Sequence, residues 1–150
     1  MRIGVIGTGY VGLVVGACFA ETGNDVVCVD QDASKVAALL RGEIPIYEPG
    51  LADLLPRNLN GEERRLRFTT DLAEAVKISE VIFIAVGTPQ DEDGSADLSS
   101  VLAVAEEIAR SLDGWRVIVL KSTVPVGTAK KVRAAMSRLT EQPFGIASNP

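Results

Sequence analysis

The feature that most constrains the fold lies within the first thirty residues of the chain. A short apolar run, Ile3-Gly4-Val5-Ile6, leads directly into the glycine-rich segment Gly7-Thr8-Gly9-Tyr10-Val11-Gly12. Apolar residues then recur at helical spacing over residues 11–22, and the run Val26-Val27-Cys28-Val29 ends at Asp30, eighteen positions after the last glycine of the motif. A glycine hexamer alone often arises by chance. A preceding strand, a following helix and a second strand that ends in an acid are the context in which this motif binds a dinucleotide.

Each glycine of the motif has its own physical task. Gly7 allows the tight turn, Gly9 lets the backbone approach a pyrophosphate, and Gly12 lets the helix pack closely against the strand. The N-terminus of the helix offers free N–H groups and a partial positive charge to the phosphates. Gly16, one helical turn further on, would extend the same close contact. A turn that binds no nucleotide is the alternative reading.

Asp30 predicts which dinucleotide binds. A carboxylate at this strand end accepts hydrogen bonds from a ribose diol and repels a 2′-phosphate. No arginine follows in Gln31-Asp32-Ala33-Ser34 to receive such a phosphate, so the sequence favours NAD over NADP. A solvated strand end or a cap of the next helix are the alternatives for Asp30. Lys35, in the first turn of that helix, either reaches a cofactor phosphate or is an ordinary solvated lysine.

Composition excludes several classes of function. A length of 150 residues is about one domain, and 47% apolar with 23% charged residues is an ordinary globular composition. The net charge of -5 argues against nucleic acid or an anionic membrane as a partner. The chain contains no histidine, which excludes a histidine base or metal ligand within it. Its two cysteines, Cys18 and Cys28, form no metal-ligand pair and are predicted to be reduced core thiols.

Residues 3–20 form an apolar run that also invites another interpretation, a membrane span or a secretory signal. The run contains five glycines, and a single positive charge precedes it. Neither feature suits a span or a signal, and the spacing to Asp30 would then be a coincidence. The expected location is therefore the reducing cytoplasm.

Strand and helix patterns alternate along the whole chain. Strands are predicted at residues 3–6, 26–29, 66–69, 81–86, 115–120 and 144–147, and helices at 11–22, 34–40, 51–55, 72–76, 98–112 and 128–139. Asp71 and Thr128 are the predicted N-caps of two helices. Such alternation implies right-handed crossovers and an α/β fold. We expect a Rossmann-type, doubly wound, six-stranded, mainly parallel sheet in the order 3-2-1-4-5-6, with helices on both faces.

Hydroxyl side chains follow two of the predicted strands. The motif Gly87-Thr88-Pro89 follows strand 81–86, and Lys121-Ser122-Thr123 follows strand 115–120. Ligands of open α/β sheets bind at the carboxyl ends of the strands, so Thr88 is expected to contact the cofactor, or else only shapes a turn. Ser122 and Thr123 either position a substrate oxygen or a water, or bond local backbone. The acidic segment 90–97 is expected to be a mobile or ligand-gated loop, and its spacing does not match a calcium loop.

Four segments together resemble one family. They are Gly7-Thr8-Gly9-Tyr10-Val11-Gly12-Leu13, Ile44-Pro45-Ile46-Tyr47-Glu48-Pro49-Gly50-Leu51, Ala85-Val86-Gly87-Thr88-Pro89 and Lys121-Ser122-Thr123-Val124-Pro125-Val126-Gly127-Thr128. They are similar to segments of the UDP-glucose/GDP-mannose dehydrogenases. The resemblance implies an enzyme that oxidises carbon 6 of a nucleotide sugar twice, from alcohol to carboxylate, with two NAD and a covalent thiohemiacetal on a cysteine. UDP-glucose is the expected substrate, with GDP-mannose or an N-acetylated UDP sugar as alternatives.

The resemblance also implies roles for individual residues. It makes the Val11 backbone, Asp30, Lys35, Thr88 and Thr123 cofactor contacts. Thr123 would also order a water or a substrate oxygen and is the one catalytic residue predicted, and no metal ligand is predicted. The loop 47–49 is expected near the site. The full set of predicted cofactor-binding residues is Gly7, Gly9, Tyr10, Val11, Gly12, Asp30, Lys35, Gly87, Thr88, Pro89, Ser122 and Thr123.

Other parts of the family's machinery are not matched. Its nucleophilic cysteine lies in a glycine-rich segment further downstream, and neither Cys18 nor Cys28 has that setting. Its Ser-Asn-Pro motif, here Ser148-Asn149-Pro150, normally precedes an active-site glutamate. Residues 1–150 are therefore expected to be the N-terminal NAD-binding domain of a longer enzyme, homodimeric through a later helix, and to bind NAD weakly without turnover. A non-catalytic nucleotide-sensing module is the alternative.

Overall fold

A six-stranded parallel sheet is the centre of the molecule. The computed structural model describes residues 1–90 and 94–150. The strands are β1 Arg2–Ile6, β2 Asp25–Val29, β3 Leu66–Thr69, β4 Val81–Ile84, β5 Arg116–Leu120 and β6 Phe144–Ser148. Their order is β3-β2-β1-β4-β5-β6, and every pair of neighbouring strands is parallel. The predicted fold class and strand order are confirmed.

Helices cover both faces of this sheet. They are α1 Tyr10–Glu21, α2 Ala33–Leu40, α3 Leu51–Asn60, α4 Leu72–Ile78, α5 Ser99–Ser111 and α6 Thr128–Ser137. The first three helices pack on one face, in a core that includes Val5, Leu13 and Leu39. The last three pack on the other face, in a core that includes Ile82 and Ile108. The chain runs from β1 outward to β3, then crosses back to β4 on the other side of β1 and runs outward to β6. Because parallel crossovers are right-handed, the change of direction places the helices of the two halves on opposite faces of the sheet.

Several element boundaries differ from the prediction. Helix α3 continues to Asn60 rather than ending at residue 55, although Pro56 lies inside it. The extension is anchored by Asn58, whose side chain is buried and donates to Glu21 (2.7 Å) and to the Leu54 carbonyl (2.9 Å). Strand β4 ends at Ile84, two residues earlier than predicted, and residues 85–89 continue without regular secondary structure at the strand's carboxyl end.

The two predicted N-caps have different outcomes. Asp71 caps α4, and its carboxylate accepts a hydrogen bond from the Glu74 amide at 2.9 Å. Thr128 does not cap α6. It is the first helical residue, its buried hydroxyl donates to the Pro125 carbonyl at 2.7 Å, and Gly127 holds the cap position. The prediction for Thr128 was wrong because the helix begins one residue earlier than a Thr128 cap requires, so Thr128 is already inside the first turn and its hydroxyl bonds the preceding turn instead.

The prediction that both cysteines are core thiols holds for only one of them. Both are free; Cys28 is fully buried in β2, but Cys18 is exposed. The prediction of a core thiol was therefore wrong for Cys18. The buried stripe of α1 contains Gly16, Ala17 and Ala20, and Cys18 lies outside it. The helix is apolar on most sides, so its periodicity does not separate the buried face from the exposed one.

Part of the predicted loop 90–97 lies outside the described residues, namely positions 91–93. Within the remainder, Gln90 pairs with Ala96 in an isolated antiparallel bridge, and Asp97 accepts a hydrogen bond from the Ser99 amide at 2.8 Å. In the part of the chain that the structure describes, no helix is long and apolar enough to cross a membrane. No group of three potential metal ligands occurs among those residues either.

Candidate dinucleotide site

The glycine-rich turn joins β1 to α1 at the carboxyl edge of the sheet. Gly7 has a φ of 101°, which favours glycine, and its amide donates to the Val29 carbonyl at 2.8 Å. A Cβ on Gly12 would lie 1.9 Å from the Gly7 carbonyl oxygen, so only glycine allows α1 to start this close to the turn. A Cβ on Gly9 would meet no atom within 4 Å. The space next to Gly9 is thus open for a ligand at the N-terminus of α1.

Asp30 lies beside this turn and is held by several donors. Its Oδ2 accepts hydrogen bonds from the Thr8 hydroxyl (2.6 Å), the Thr8 amide (3.1 Å) and the Lys35 ammonium group (2.9 Å). Its Oδ1 accepts one from the Asp32 amide at 3.1 Å. The carboxylate therefore links the turn to the start of α2. The alternative that Asp30 caps α2 is wrong, because Asp32 is the N-cap and accepts from the amides of Ser34 and Lys35.

These donors determine the charge state of Asp30. Burial by itself raises the pKa of this carboxyl, but the hydrogen bonds from the Thr8 side chain, from Lys35 and from the two backbone amides outweigh burial and lower the pKa to about 2. Because folding lowers this pKa below its usual 3.8, the stabilisation from the ionised form is present above that pH and is lost as the pH falls through 2. Asp30 is fully ionised at neutral pH.

A cleft of about 440 Å³ opens at this edge of the sheet. Of the predicted cofactor-binding residues, it brings together Gly7, Gly9, Asp30, Lys35 and Gly87. The opposite wall is formed by α5, and its contribution was not predicted. The additional lining residues are Ile6, Val29, Gln31, Thr70, Leu72, Ala85, Val86, Ser100, Ala103, Val104 and Glu107.

The remaining predicted residues are not among the residues that line this cleft; they are Tyr10, Val11, Gly12, Thr88, Pro89, Ser122 and Thr123. Two side-chain hydrogen bonds link the segments that follow β4 and β5. The Thr88 hydroxyl donates to the Thr123 carbonyl at 3.2 Å, and the buried Ser122 hydroxyl donates to the Val86 carbonyl at 2.6 Å. For Ser122 the structure thus shows the backbone contact, and a role toward the cofactor stays a prediction.

The segment 44–50 lies next to the start of α1, because the Tyr10 hydroxyl donates a hydrogen bond to the Glu48 carboxylate. This hydrogen bond is the main cause that raises the pKa of Tyr10 above its usual value. Tyr47, the neighbour of Glu48, is 90% exposed. Glu48 therefore lies beside the start of α1, next to the glycine-rich turn, in agreement with the position that the family resemblance implies for the loop 47–49.

Two contributions were missed by the sequence reasoning. Thr8 is only 1% exposed and binds Asp30 twice, yet in the sequence it is merely a variable position between two glycines. Its hydroxyl was the only available signal. On α5, Ser100, Ala103, Val104 and Glu107 face the cleft at a helical spacing of three and four residues. That stripe is visible in the sequence, but only the order of the strands places it opposite Asp30.

The sheet order, the glycine-rich turn and the acid at the end of β2 define a dinucleotide-binding domain of the Rossmann type. The residues fit such a group: the close approach at Gly12, the open space at Gly9 and the ionised Asp30 match the pyrophosphate and ribose positions of the fold.

Comparison with known proteins identifies the family. The model of the UDP-glucose/GDP-mannose dehydrogenase family, NAD binding domain, matches residues 1–150. The chain belongs to this family and forms its NAD-binding domain, so its cofactor is NAD. The resemblance seen in the sequence is confirmed.

Individual relatives agree. The chain is 53% identical over 151 residues to UDP-glucose 6-dehydrogenase TuaD of Bacillus subtilis, covering 99% of the chain and 32% of that protein. It is 55% identical over 155 residues to UDP-glucose 6-dehydrogenase of Pseudomonas aeruginosa, covering 100% of the chain and 34% of that protein. The solved UDP-glucose dehydrogenase of Pyrobaculum islandicum superposes with a TM-score of 0.94 at 42% identity, covering 99% of the chain and 35% of that protein. The chain thus spans about a third of the length of these relatives.

Proposed function

We propose that this chain is the NAD-binding third of an enzyme that oxidises UDP-glucose to UDP-glucuronate with two NAD. The observation that carries the proposal is the ionised Asp30 beside an open glycine-rich turn, together with the family match over residues 1–150. UDP-glucose is favoured because relatives with that substrate in their names are 53% and 55% identical, against 39% for the GDP-mannose 6-dehydrogenase of Pseudomonas putida.

The adenosine half of the site is built around Asp30. Its Oδ1 has one protein donor and keeps acceptor capacity for a ribose hydroxyl. Lys35 neutralises the carboxylate at 2.9 Å, and it is 30% exposed, so it is free to turn toward a phosphate. A 2′-phosphate at this position would be brought against the ionised carboxylate, which costs several kcal/mol for like charges in contact. Asp30 thereby selects NAD over NADP.

The pyrophosphate half is built from backbone. The amides at the N-terminus of α1 have no intrahelical acceptors, and the helix dipole favours negative charge there. Because Gly9 has no side chain, phosphate oxygens reach these amides directly. Val11, in the first turn of α1, contributes through its backbone amide. Neutralisation of the pyrophosphate therefore requires no basic side chain in the turn.

The reacting end of the site is assigned to the carboxyl ends of β4 and β5. NAD, when bound, supplies the hydride acceptor. The Thr88 hydroxyl is engaged with the Thr123 carbonyl, which fixes the distance between the two strand ends. The Thr123 hydroxyl has no hydrogen-bond partner among residues 1–90 and 94–150, so it is available to hold a substrate oxygen or a water. That is the positioning role we assign to Thr123.

Further assignments rest on the family resemblance and on charge. We place the full-length protein in the cytoplasm as a homodimer that supplies UDP-glucuronate for polysaccharide synthesis. The net charge of -5 supports a protein without a nucleic-acid partner.

Turnover by the full-length protein tests the proposal. We expect two NADH per UDP-glucose consumed, measured by absorbance against chromatographic loss of the sugar nucleotide. The Thr123→Val variant should keep its fold and lose turnover on the order of tenfold, as expected for one lost hydrogen bond. Thr140→Val, in the segment between α6 and β6, is the matched control: it removes only the acceptor of the nearby Gln142 amide (3.1 Å), and turnover should be unchanged. NADH from GDP-mannose or from an N-acetylated UDP sugar, but not from UDP-glucose, would reassign the substrate, and none from any of the three would favour a non-catalytic NAD-binding module.

A further inference from the structure

Thr8 is an unusual residue within the glycine-rich turn. Its neighbours Gly7 and Gly9 have no side chains, and its own side chain is 1% exposed. Both of its donors point at one atom: the hydroxyl lies 2.6 Å and the amide 3.1 Å from Asp30 Oδ2. The adjacent Gly7 amide donates to the Val29 carbonyl at 2.8 Å. Two consecutive residues of the turn are thus bonded to two consecutive residues at the end of β2.

The two oxygens of Asp30 are used unequally. Oδ2 receives three donors, two from Thr8 and one from Lys35, whereas Oδ1 receives one, from the Asp32 amide. Of the two side-chain donors on Oδ2, Thr8 is buried and short, and Lys35 is long and 30% exposed. A ribose hydroxyl that approaches Oδ2 therefore displaces Lys35 and not Thr8. Thr8 is the partner that stays in place when the cofactor binds.

We propose that Thr8 is a positioning residue that determines cofactor specificity: its hydroxyl and amide hold the Asp30 carboxylate in the orientation that accepts a ribose diol and excludes a 2′-phosphate. This inference rests on the proposed role of Asp30 in NAD binding. Thr8 also couples the two halves of the site, since the same residue belongs to the turn that approaches the pyrophosphate.

The electrostatics of the cleft support this role. Burial raises the pKa of Asp30, and the Thr8 hydroxyl is the leading contribution that counteracts it. The charged side chains that share the cleft with Asp30 are Lys35 on α2 and Glu107 on α5. Without the Thr8 hydroxyl the carboxylate loses its shortest hydrogen bond, and of the side-chain donors only Lys35 remains on Oδ2. The remaining ammonium group then offsets more of the repulsion of a 2′-phosphate.

Three variants test the inference by calorimetric titration of this chain with NAD and with NADP. Thr8→Val replaces the hydroxyl by a methyl group of the same shape, and Thr8→Ala is the second deletion should the valine fail to fold. We expect loss of the hydroxyl in either variant to raise the Kd for NAD on the order of tenfold. We also expect it to lower the ratio of the Kd for NADP to the Kd for NAD, which measures the selectivity for NAD. Thr8→Ser keeps the hydroxyl and should restore both quantities to within about twofold of the parent.

A second readout is independent of the cofactor. Carboxyl NMR titration of Asp30 in the free chain should show a higher pKa in Thr8→Val and Thr8→Ala than in the parent, and a restored value in Thr8→Ser. Unchanged selectivity in both deletion variants, or Thr8→Ser behaving like Thr8→Val, would overturn the inference.

Asp30→Asn separates this inference from the proposed function on which it rests. If Asp30→Asn loses selectivity and the Thr8 deletions do not, the role of Asp30 stands and that of Thr8 fails. If Asp30→Asn keeps the selectivity of the parent, both fail.

Discussion

Substitution of alanine for two glycines of the glycine-rich segment should affect two different properties: stability at Gly12 and NAD affinity at Gly9. A Cβ on Gly12 would lie 1.9 Å from the Gly7 carbonyl oxygen and 3.3 Å from the Ala85 Cβ. The nearer of these atoms is backbone in a turn that is itself hydrogen-bonded to β2, so it cannot move aside cheaply. We therefore expect Gly12→Ala to lower the free energy of unfolding by about 3 kcal/mol, the upper part of the range for overpacking. For a chain of this length that corresponds to a fall in Tm of roughly 6–12 °C.

Gly9→Ala is the matched substitution three residues earlier. Its φ is -67°, which any residue adopts, and a Cβ there would meet no atom within 4 Å. The free energy of unfolding should change by less than about 1 kcal/mol, since the smaller entropy of the unfolded chain offsets the weaker N-cap. The new methyl group does occupy the space assigned to the pyrophosphate. Loss of one hydrogen bond to a charged phosphate, about 1.5–3 kcal/mol, raises the Kd for NAD roughly ten- to a hundredfold.

Thermal unfolding by circular dichroism and calorimetric titration with NAD measure the two quantities on the same samples. The reasoning requires that stability falls in Gly12→Ala and that NAD affinity falls in Gly9→Ala without loss of stability. A Gly12→Ala chain as stable as the parent would refute the packing argument. A Gly9→Ala chain with the affinity of the parent would refute the assignment of the open space to a phosphate.

Further outcomes follow from other parts of the fold. Burial raises the pKa of Cys28 to about 12, so a thiol reagent should modify only the exposed Cys18 in the native chain and both cysteines after denaturation. Asp71→Ala removes the acceptor of the Glu74 amide and should lower Tm by about 2–4 °C, equivalent to about 1 kcal/mol of cap stabilisation. In Gly16→Ala the new Cβ would lie 2.5 Å from Cys28 Sγ, so we expect a loss of about 1–3 kcal/mol in chemical denaturation, partly restored by adding Cys28→Ala.

The parts of the site that were predictable depend on short spacings along the chain. The glycine-rich turn, the acid after the second strand and the hydroxyls after β4 and β5 are each fixed by strand ends that the apolar runs mark clearly. The order of the strands was predicted from the doubly wound fold class that the alternation of strands and helices indicates, and it was confirmed.

The parts that were not predictable depend on contacts between distant segments. The bond between Thr8 and Asp30 spans 22 positions, and that between Tyr10 and Glu48 spans 38. The exposure of Cys18 also depends on contacts with a distant segment. Its helix is apolar on most sides, and only packing against the sheet determines which side is buried. The cap prediction for Thr128 was wrong for a local reason: the sequence pattern does not determine whether Gly127 or Thr128 is the N-cap, and the helix begins one residue earlier than a Thr128 cap requires.

The wall formed by α5 illustrates how topology completes a site. The residues of α5 that line the cleft are two apolar residues, Ala103 and Val104, and two polar residues, Ser100 and Glu107. None of them belongs to a recognisable sequence motif. They face Asp30 because the crossover from β4 to β5 places α5 on the face opposite α1. A sequence motif therefore identified one side of the cleft, and the strand order supplied the other.

Comparative titration of this chain with NAD and NADP tests the central claim most directly, because Asp30 is assigned as the group that binds the adenosine ribose and excludes a 2′-phosphate. We predict that NAD binds at least about tenfold more tightly than NADP at neutral pH. The Asp30→Asn variant should bind NAD more weakly, and its affinities for NAD and NADP should differ by less than those of the parent. Equal affinity for the two dinucleotides, or no binding of NAD to a folded chain, would contradict the account.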